Sequence, residues 1–469
     1  LDNVSTTGDS VTVTSSSGDI TIGNVRTALG GLTTLSANGG AIVDDGNAAT
    51  RLTTGSATLN AAQSIGTQAN PIQASIYGLT VNNTGNVHLT NSDNTLTSLS
   101  VTNRHATPGV ANVLEITSPF LTFDVTDDGS RYALNRIVGT PLTTLSFSGD
   151  QTAVIGQVQS ASNGAVSLTA TQGDLLEDGN AETRVTGNTV ALTASEGHVG
   201  RALMPLEVNT ARLTLSTRGD LYVNSLTDLS RLNITSSHAD STSAYGMVVK
   251  APSLALTVTD SAAGHHLQNV VDTSSLDFTF TSDRDITVGQ IDVAYNGAAT
   301  LTSTGGNLLD DGDKATRVLA NTVTLDGRAL GASGSAHLDV IAGTLNARAT
   351  QGVYIDVPTA TGGNYTNTLN VTSVSAAGPV EITSHEGDIS LNGSITATNQ
   401  AVRLTAERGS ILHSSGTVSV GNGSLTLNAA GSIGNSTRAL TVNANGAALN
   451  AQAGTGIAVT SNGTLTLGT

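Results

Sequence analysis

The stretch Asp44-Asp45-Gly46-Asn47-Ala48-Ala49-Thr50-Arg51 recurs as Glu177-Asp178-Gly179-Asn180-Ala181-Glu182-Thr183-Arg184 and again as Asp310-Asp311-Gly312-Asp313-Lys314-Ala315-Thr316-Arg317. Each copy begins 133 residues after the one before it (44 to 177, 177 to 310). The same offset links Ile22-Gly23 to Ile155-Gly156 and Val288-Gly289, His105-Ala106 to His238-Ala239, Leu121 to Leu254, and Phe147 to Phe280. A fixed long period of this kind indicates a repeat architecture.

A shorter rhythm lies inside the long period. If Leu168, Leu192, Leu215, Ile234, Val258, Phe280 and Leu301 are equivalent, the steps between them are 24, 23, 19, 24, 22 and 21 residues, about 22 on average. Each step holds short stretches in which Val, Leu or Ile alternates with Thr or Ser, which is typical of strands. Gly-Asp, Gly-Asn and Asn-Gly pairs between these stretches are typical of turns. No segment keeps a helical period, so we expect almost no helix.

Together these features predict an all-β fold, a parallel β-helix (β-solenoid) with about 22 residues per coil and about 21 coils. We expect residues 1–469 to form one continuous β-helix. Its long repeats are 18–150, 151–283, 284–386 and 387–469, the last two shortened. A rise of about 4.8 Å per coil gives a length of roughly 100 Å. Both ends of the chain resemble parts of a repeat, so we expect it to be a fragment of a larger protein.

The composition fits a thin solenoid and narrows the classes of partner. Aromatic residues make up 3% of the chain and charged residues 12%, and Cys is absent. Such a chain fills a narrow core of small aliphatic side chains, and it has neither a disulfide framework nor thiolate metal sites. The net charge of −17 disfavours nucleic acids and anionic membranes as partners, because both are negatively charged.

Arg218-Gly219-Asp220 has the form of an integrin-binding tripeptide. Its Gly-Asp pair, however, matches the turns at Gly18-Asp19, Gly173-Asp174 and Gly387-Asp388, which carry no Arg. Turn geometry therefore explains the pair, and we interpret the tripeptide as structural.

The three acidic stretches at Asp44-Asp45, Glu177-Asp178 and Asp310-Asp311 are candidates for calcium binding, because hard cations prefer carboxylate oxygens. The spacing of an EF-hand loop or a calcium β-roll is absent. Since the following Thr and Arg also recur, we expect a local cap or salt bridge at a fixed corner of the coil. We predict that EDTA shifts the melting temperature little.

The remaining candidates carry little chemistry. His265-His266 has no third ligand for zinc, and we expect it in a surface loop. Gly-x-Ser-x-Gly, a phosphate-binding glycine loop and HExxH are all missing, so we assign no catalytic, cofactor-binding or metal-binding residue and expect no enzyme activity. The segments near 105–150 and 237–283 hold several aromatic residues and less regular spacing. We expect longer loops there, and these are the most plausible places for a ligand patch.

The chain resembles the β-helical shaft of filamentous-haemagglutinin-like exoproteins, the adhesins exported by two-partner secretion. The resemblance is carried by Gly-Asp-Ile/Leu turns, by Leu-Thr-Leu strands, and by Ala61-Ala62-Gln63-Ser64-Ile65-Gly66, which Ala430-Gly431-Ser432-Ile433-Gly434 partly repeats. It implies right-handed coiling, display on the bacterial cell surface, and export through an outer-membrane transporter. The secretion domain of that family, with its Asn-Pro-Asn motif, is absent from this sequence.

The function that this resemblance implies is an extracellular stalk for adhesion, aggregation or biofilm cohesion. Its partners would be host-cell or matrix glycans and proteins, or copies of the chain itself. Two alternatives stay open: a self-assembling filament or sheath subunit, and a β-helix that binds or cleaves polysaccharides. The second is disfavoured because Trp is absent and the acidic residues sit in regularly spaced turns.

Overall fold

The computed structural model of the chain describes residues 1–8, 10–237, 245–261, 263–294, 296–359 and 368–468. The chain divides into two compact units, Leu1–Asp228 and Leu229–Thr469. All regular structure is strand, and no helix occurs among the described residues, which confirms the all-β prediction. His238-Ala239, the counterpart of His105-Ala106 in the sequence repeat, lies outside the described residues. One continuous β-helix over 1–469, with right-handed coiling, stays a prediction.

The first unit contains 24 of the strands in the described part of the chain. They are β1 Asn3–Ser5, β2 Ser10–Ser15, β3 Ile20–Ile22, β4 Asn24–Arg26, β5 Leu32–Ala37, β6 Ile42–Asp44, β7 Leu52–Thr53, β8 Ser56–Ala61, β9 Ile72–Ser75, β10 Gly78–Asn83, β11 Val87–Asn91, β12 Ser98–Asn103, β13 Val113–Thr117, β14 Leu121–Asp127, β15 Arg131–Gly139, β16 Thr144–Gly149, β17 Thr152–Gln159, β18 Ala165–Ala170, β19 Leu175–Glu177, β20 Val185–Thr186, β21 Thr189–Ala194, β22 Leu206–Asn209, β23 Arg212–Thr217 and β24 Leu221–Ser225.

The second unit contains a further 24 strands in its described residues. They are β25 Arg231–Ser236, β26 Gly246–Ala251, β27 Leu254–Ser261, β28 Gly264–Asp272, β29 Asp277–Ser282, β30 Asp285–Asp292, β31 Ala298–Ser303, β32 Leu308–Asp310, β33 Val318–Gly327, β34 Leu338–Ala349, β35 Val353–Val357, β36 Leu369–Ala376, β37 Val380–Ser384, β38 Ile389–Ala397, β39 Ala401–Ala406, β40 Ile411–His413, β41 Val418–Gly421, β42 Ser424–Ala429, β43 Ser432–Ile433, β44 Leu440–Ala444, β45 Ala447–Ala453, β46 Gly456–Ile457, β47 Val459–Asn462 and β48 Leu465–Leu467.

Equivalent residues of successive coils lie in parallel register in the first unit. Leu168 pairs with Leu192 and Leu192 with Leu215, as the sequence predicts. The same column holds, in chain order, Val13, Leu35, Leu59, Val81, Val101 and Phe147. From Leu35 onward every side chain of this column is buried. Backbone pairing between neighbouring coils, with apolar side chains stacked inside, confirms the parallel β-solenoid.

Two further columns complete the coils at the start of the first unit. Ile20, Ile42 and Ile65 are successive partners on one face, and Val25, Leu52 and Ala74 are successive partners on the other. Each coil therefore presents three short buried faces. The small aliphatic side chains that dominate the sequence are sufficient to fill the narrow space between them.

The second unit repeats this arrangement. Its main column runs through Ile234, Phe280, Leu301, Leu325, Ala347, Val374, Ile395, Val418 and Val442. Together the two units hold roughly 20 coils of about 22 residues. Each coil bonds mainly to its neighbours, so stability accumulates along a unit coil by coil.

One predicted equivalence is wrong. Ile234 pairs directly with Phe280, 46 residues later, and Val258 is not a member of their column. Val258 lies in β27, which is antiparallel to β26 and β28. The error arises because Leu256-Thr257-Val258-Thr259 alternates like a coil strand, and alternation reveals a buried face but neither the direction nor the partner of a strand.

The first unit contains the same feature at the equivalent place. On one face Val101 pairs directly with Phe147. On the next face β13, β14 and β15 lie between β11 and β17, and β14 is antiparallel to both neighbours. We call Val113–Gly139 the first insertion and Gly246–Asp272 the second insertion. The longer loops predicted near 105–150 and 237–283 are thus largely extra strands.

Candidate functional site

The Arg218-Gly219-Asp220 tripeptide is built into a turn between β23 and β24. Arg218 Nη1 lies 2.6 Å from Glu196 Oε2, and the Asp220 amide donates to His198 Nδ1 at 2.8 Å. The Gly219 amide donates to Thr217 Oγ1 at 3.1 Å. Both charged side chains of the tripeptide are engaged with the preceding coil, which supports the structural interpretation.

The acidic turns use their carboxylates to bond their own backbones. Asp45 Oδ1 accepts from the Asn47 amide at 2.9 Å and from Thr50 Oγ1 at 2.7 Å. The corresponding distances at Asp178 are 2.8 and 2.7 Å, and at Asp311 they are 2.9 and 2.7 Å. The predicted local cap is confirmed, and it explains why the Thr recurs five residues after the Asp.

A glycine lies beneath the second acid of each turn. A Cβ at Gly23, Gly156 or Gly289 would come within 2.9, 3.1 and 3.1 Å of Oδ2 of the acid above it. The Ile-Gly and Val-Gly pairs of the sequence repeat therefore leave room for the capping carboxylate. The recurring Arg has no single role: Arg51 pairs with Asp93 outside the turn, whereas Arg184 bonds the Glu182 carbonyl.

The expectation of a surface loop at His265-His266 is wrong. Both residues lie in β28, and the His265 side chain is buried. Its Nδ1 lies 2.9 Å from Ser282 Oγ, its Nε2 lies 2.9 Å from Ser236 Oγ, and its ring packs edge-on against Phe280. A histidine with a hydroxyl partner on each nitrogen satisfies its polar atoms inside the core, so burial is not penalised.

At the base of the first insertion, His105 lies between two carboxylates. Its Nε2 is 2.7 Å from Asp127 Oδ2, and its Nδ1 is 2.7 Å from Asp150 Oδ1. The His105 and Asp127 side chains are almost completely buried, at 1% and 0% exposure. A carboxylate only accepts hydrogen bonds, so a ring nitrogen that bonds to one must carry the shared proton. The result is a buried charge-assisted network.

Tyr132, at the start of β15, completes this network. Its hydroxyl lies 3.0 Å from Asp150 Oδ1 and 3.1 Å from the Asn103 carbonyl oxygen, and its ring meets Phe147 edge-on. Burial, together with the charges of Asp150 and Asp127, raises the pKa of Tyr132 far above its ordinary value. The hydroxyl therefore stays protonated and acts as a donor.

We call His105, Asp127, Tyr132 and Asp150 the anchor of the first insertion. Asp127 and Tyr132 belong to the insertion, whereas His105 and Asp150 belong to the coil segments on either side. The anchor thus fixes the insertion to the solenoid. Sequence reasoning missed it because its members are spread from 105 to 150, and the His105 repeat match was the only signal.

Away from the anchor, the first insertion exposes apolar side chains. Phe120 is 73% exposed and has a φ of 60°, in a tight turn closed by a bond from the Leu121 amide to the Ser118 carbonyl. Val113, its first residue, is 45% exposed, and Val110, just before it, is 55% exposed. A left-handed conformation is unfavourable for an aromatic residue, and such strain is concentrated at functional positions.

Comparison with known protein families, curated proteins and solved structures gives no match. Within the described ranges, no group of three or more His, Asp or Glu side chains is arranged to hold a metal ion. The described residues also contain no helix long and apolar enough to cross a membrane.

Proposed function

We propose that the chain is the extracellular structural and adhesive stalk of a bacterial surface exoprotein and acts without catalysis. Within each unit, stacked coils make a scaffold whose stability grows with coil number. The proposed surface location, the export through an outer-membrane transporter and the role in adhesion or biofilm cohesion are inferred from the resemblance to filamentous-haemagglutinin-like shafts. The negative charge favours neutral or basic partners on host cells or matrix.

The structure of the first insertion is the observation that best supports an adhesive role. A buried ionic anchor fixes its base, while its turn presents an exposed aromatic residue in a strained conformation. Rigid support lowers the entropic cost of binding, and aromatic anchors contribute a large share of interface energy. The first insertion therefore combines the two properties expected of a contact surface.

The test is binding of the purified chain to host cells and to immobilised matrix proteins and glycans. Phe120→Gly removes the ring and suits the positive φ, so the turn is retained. We expect it to weaken binding about tenfold or more. The control is Leu203→Ala, which removes a 96% exposed apolar side chain outside the insertion and should leave binding unchanged.

Three results would contradict the proposal. Unchanged binding by Phe120→Gly, or equal loss with Leu203→Ala, would remove the adhesive role from the first insertion. New reducing ends after incubation with acidic or neutral polysaccharides would establish cleavage and overturn the non-catalytic role. Sedimentation of the unmodified chain over a range of concentrations tests the filament alternative, because self-assembly makes the sedimentation coefficient rise with concentration.

A further inference from the structure

The first acid of each acidic turn lies next to a residue of the following coil, and the chemistry of that position changes from copy to copy. In the first copy the backbone amide of Gln73 donates to Asp44 Oδ2 at 3.5 Å, and Gln73 is in register with Thr90. This column of three positions contains one carboxylate. We call it the first acid column.

The second acid column contains two carboxylates. The Glu207 amide donates to Glu177 Oε2 at 3.1 Å, and Glu207 is in register with Asn224. Glu177 Oε1 is buried and has no hydrogen-bond partner. Burial, with the charges of Asp178 and Glu207, raises the pKa of Glu177 to about 7. Arg184, at the end of this turn, donates to the Glu182 carbonyl.

The third acid column contains three carboxylates: Asp339 and Asp356, which are in direct register, and Asp310, whose charge acts on Asp339. Asp339 is only 8% exposed and makes no hydrogen bond among the described residues. Burial, with the charges of Asp310 and Asp356, raises the pKa of Asp339 to about 6. Burial also raises the pKa of Asp310.

The basic side chains around the third acid column balance its negative charge only in part. His337 Nδ1 lies 2.9 Å from Asp356 Oδ1, and His385 Nε2 lies 3.9 Å from Asp356 Oδ2. Lys314 and His385 lower the pKa of Asp339, but burial and the two neighbouring acids outweigh them. Arg317, at the end of the same turn, has a buried Nε without a hydrogen-bond partner. The carboxyl that lacks a donor is Asp339.

We propose that the second and third acid columns are proton-binding sites that tighten the solenoid at these corners as the pH falls from about 7 to about 4. Three neighbouring carboxyls with one buried, unbonded member accommodate a proton better than a third negative charge. A proton on Asp339 supplies the missing donor toward a neighbouring carboxylate. The first acid column has Gln73 in its middle position and only one carboxylate, so it has no neighbouring acids that favour binding of a proton.

The direction in which stability changes with pH follows from the coupling between proton binding and folding. An acid whose pKa is higher in the folded than in the unfolded chain binds its proton more tightly when folded. Stability at the second column is therefore greatest below about pH 4.5, falls as the pH rises, and levels off above about pH 7. The third column follows the same course and levels off above about pH 6.

The experiment is hydrogen exchange of the intact chain at about pH 4 and about pH 8, with each variant compared with the unmodified chain at the same pH. Asp339→Asn should slow exchange of backbone amides 310–319 and 338–341 about tenfold at the higher pH and leave it nearly unchanged at the lower pH. Glu177→Gln should do the same at residues 177–186. Asp313→Asn removes an acid of the same turn outside the column and should have no effect.

A gain-of-function variant tests the inference independently. Gln73→Glu adds a carboxylate to the first acid column and should speed exchange of amides 44–53 about tenfold at the higher pH only. An Asp339→Asn effect of equal size at both pH values, or no effect of Gln73→Glu at either, would overturn the proposal. Binding of cells or matrix is not involved, so this test is separate from that of the proposed function.

Discussion

The two insertions occupy equivalent places in the 133-residue repeat but are anchored by different chemistry. Tyr132 of the first corresponds to His265 of the second, and Asp127 corresponds to Asp260. In the first insertion the ring donates to a carboxylate within an ionic network. In the second the ring lies between two serine hydroxyls at 2.9 Å, and the Asp260 carboxylate is farther away, with Oδ1 3.7 Å from His265 Nε2. The comparison shows that the repeat preserves a buried polar ring at this position while its partners change.

The residue that faces the buried ring also differs between the two insertions. Gly149 lies where a Cβ would overlap the Tyr132 ring, and its counterpart in the second insertion is Ser282, which bonds His265. Phe147 and Phe280 pack edge-on against the two rings in the same way. The apolar support is thus common to both insertions, and the polar partners distinguish them.

The largest expected effect comes from removing the ring that lies between two acids. His105→Ala leaves the carboxylates of Asp127 and Asp150 without the ring that bonds both, and we expect the first insertion to lose about 3–5 kcal/mol of local stability. His265→Ala removes two hydroxyl contacts and one longer contact of 3.7 Å to Asp260, and should cost the second insertion less, about 1–3 kcal/mol. Native-state hydrogen exchange of residues 113–139 and 246–272 measures both. Equal losses would refute the distinction between a ring held by two short carboxylate contacts and a ring held mainly by hydroxyls.

The second-largest expected effect tests whether the buried ring and the residue that faces it depend on each other for stability. Gly149→Ser places a side chain against the Tyr132 ring and should destabilise the first insertion by about 1–3 kcal/mol. Adding Tyr132→His recreates the pair found in the second insertion and should recover at least half of that loss. A double-mutant cycle with a coupling energy near zero would show that the two positions changed independently.

A smaller effect is expected from the tyrosine hydroxyl alone. Tyr132→Phe keeps the ring packed on Phe147 but removes the donor to Asp150, so we expect a loss of about 1–2 kcal/mol, measured by the same exchange experiment. The matched control is Tyr77→Phe, at a 40% exposed tyrosine outside the insertion, where exchange should not change. A change as large as that of His105→Ala would mean that the hydroxyl, and not the charge, holds the anchor.

The smallest expected effect is a loss of stability at low pH. Burial alone would raise the pKa of Asp150, but bonds from the His105 amide, the His105 ring and Tyr132 lower it overall. An acid with a lowered pKa contributes stability that is present above its unfolded value of 3.8 and is lost as the pH falls through the folded value. Because the Asp150 side chain keeps 16% of its surface in contact with solvent, which screens its interactions, we expect about 1 kcal/mol or less. Asp150→Asn should reduce the loss of protection on acidification, and an unchanged acid profile would contradict this assignment.

The solenoid could be predicted because its signals are local and repeated. The Leu168, Leu192 and Leu215 column follows from alternation and a regular step, and the caps at Asp45, Asp178 and Asp311 follow from residues within one turn. The antiparallel course of β14 and β27 could not be predicted, since a strand of either direction has the same alternation. The anchor was missed for a related reason: His105 and Asp150 are 45 residues apart and meet only through register.

The direct pairing of Val101 with Phe147, and of Ile234 with Phe280, has a consequence for how such a chain diversifies. The main column passes each insertion without a gap, so the intervening residues behave as a cassette that leaves the stacked scaffold on that face undisturbed. Replacement or lengthening of a cassette is constrained mainly at its anchor. The exposed surface of an insertion can therefore change during evolution while the neighbouring coils keep the fold stable. For the same reason, foreign sequences could be grafted at these two positions.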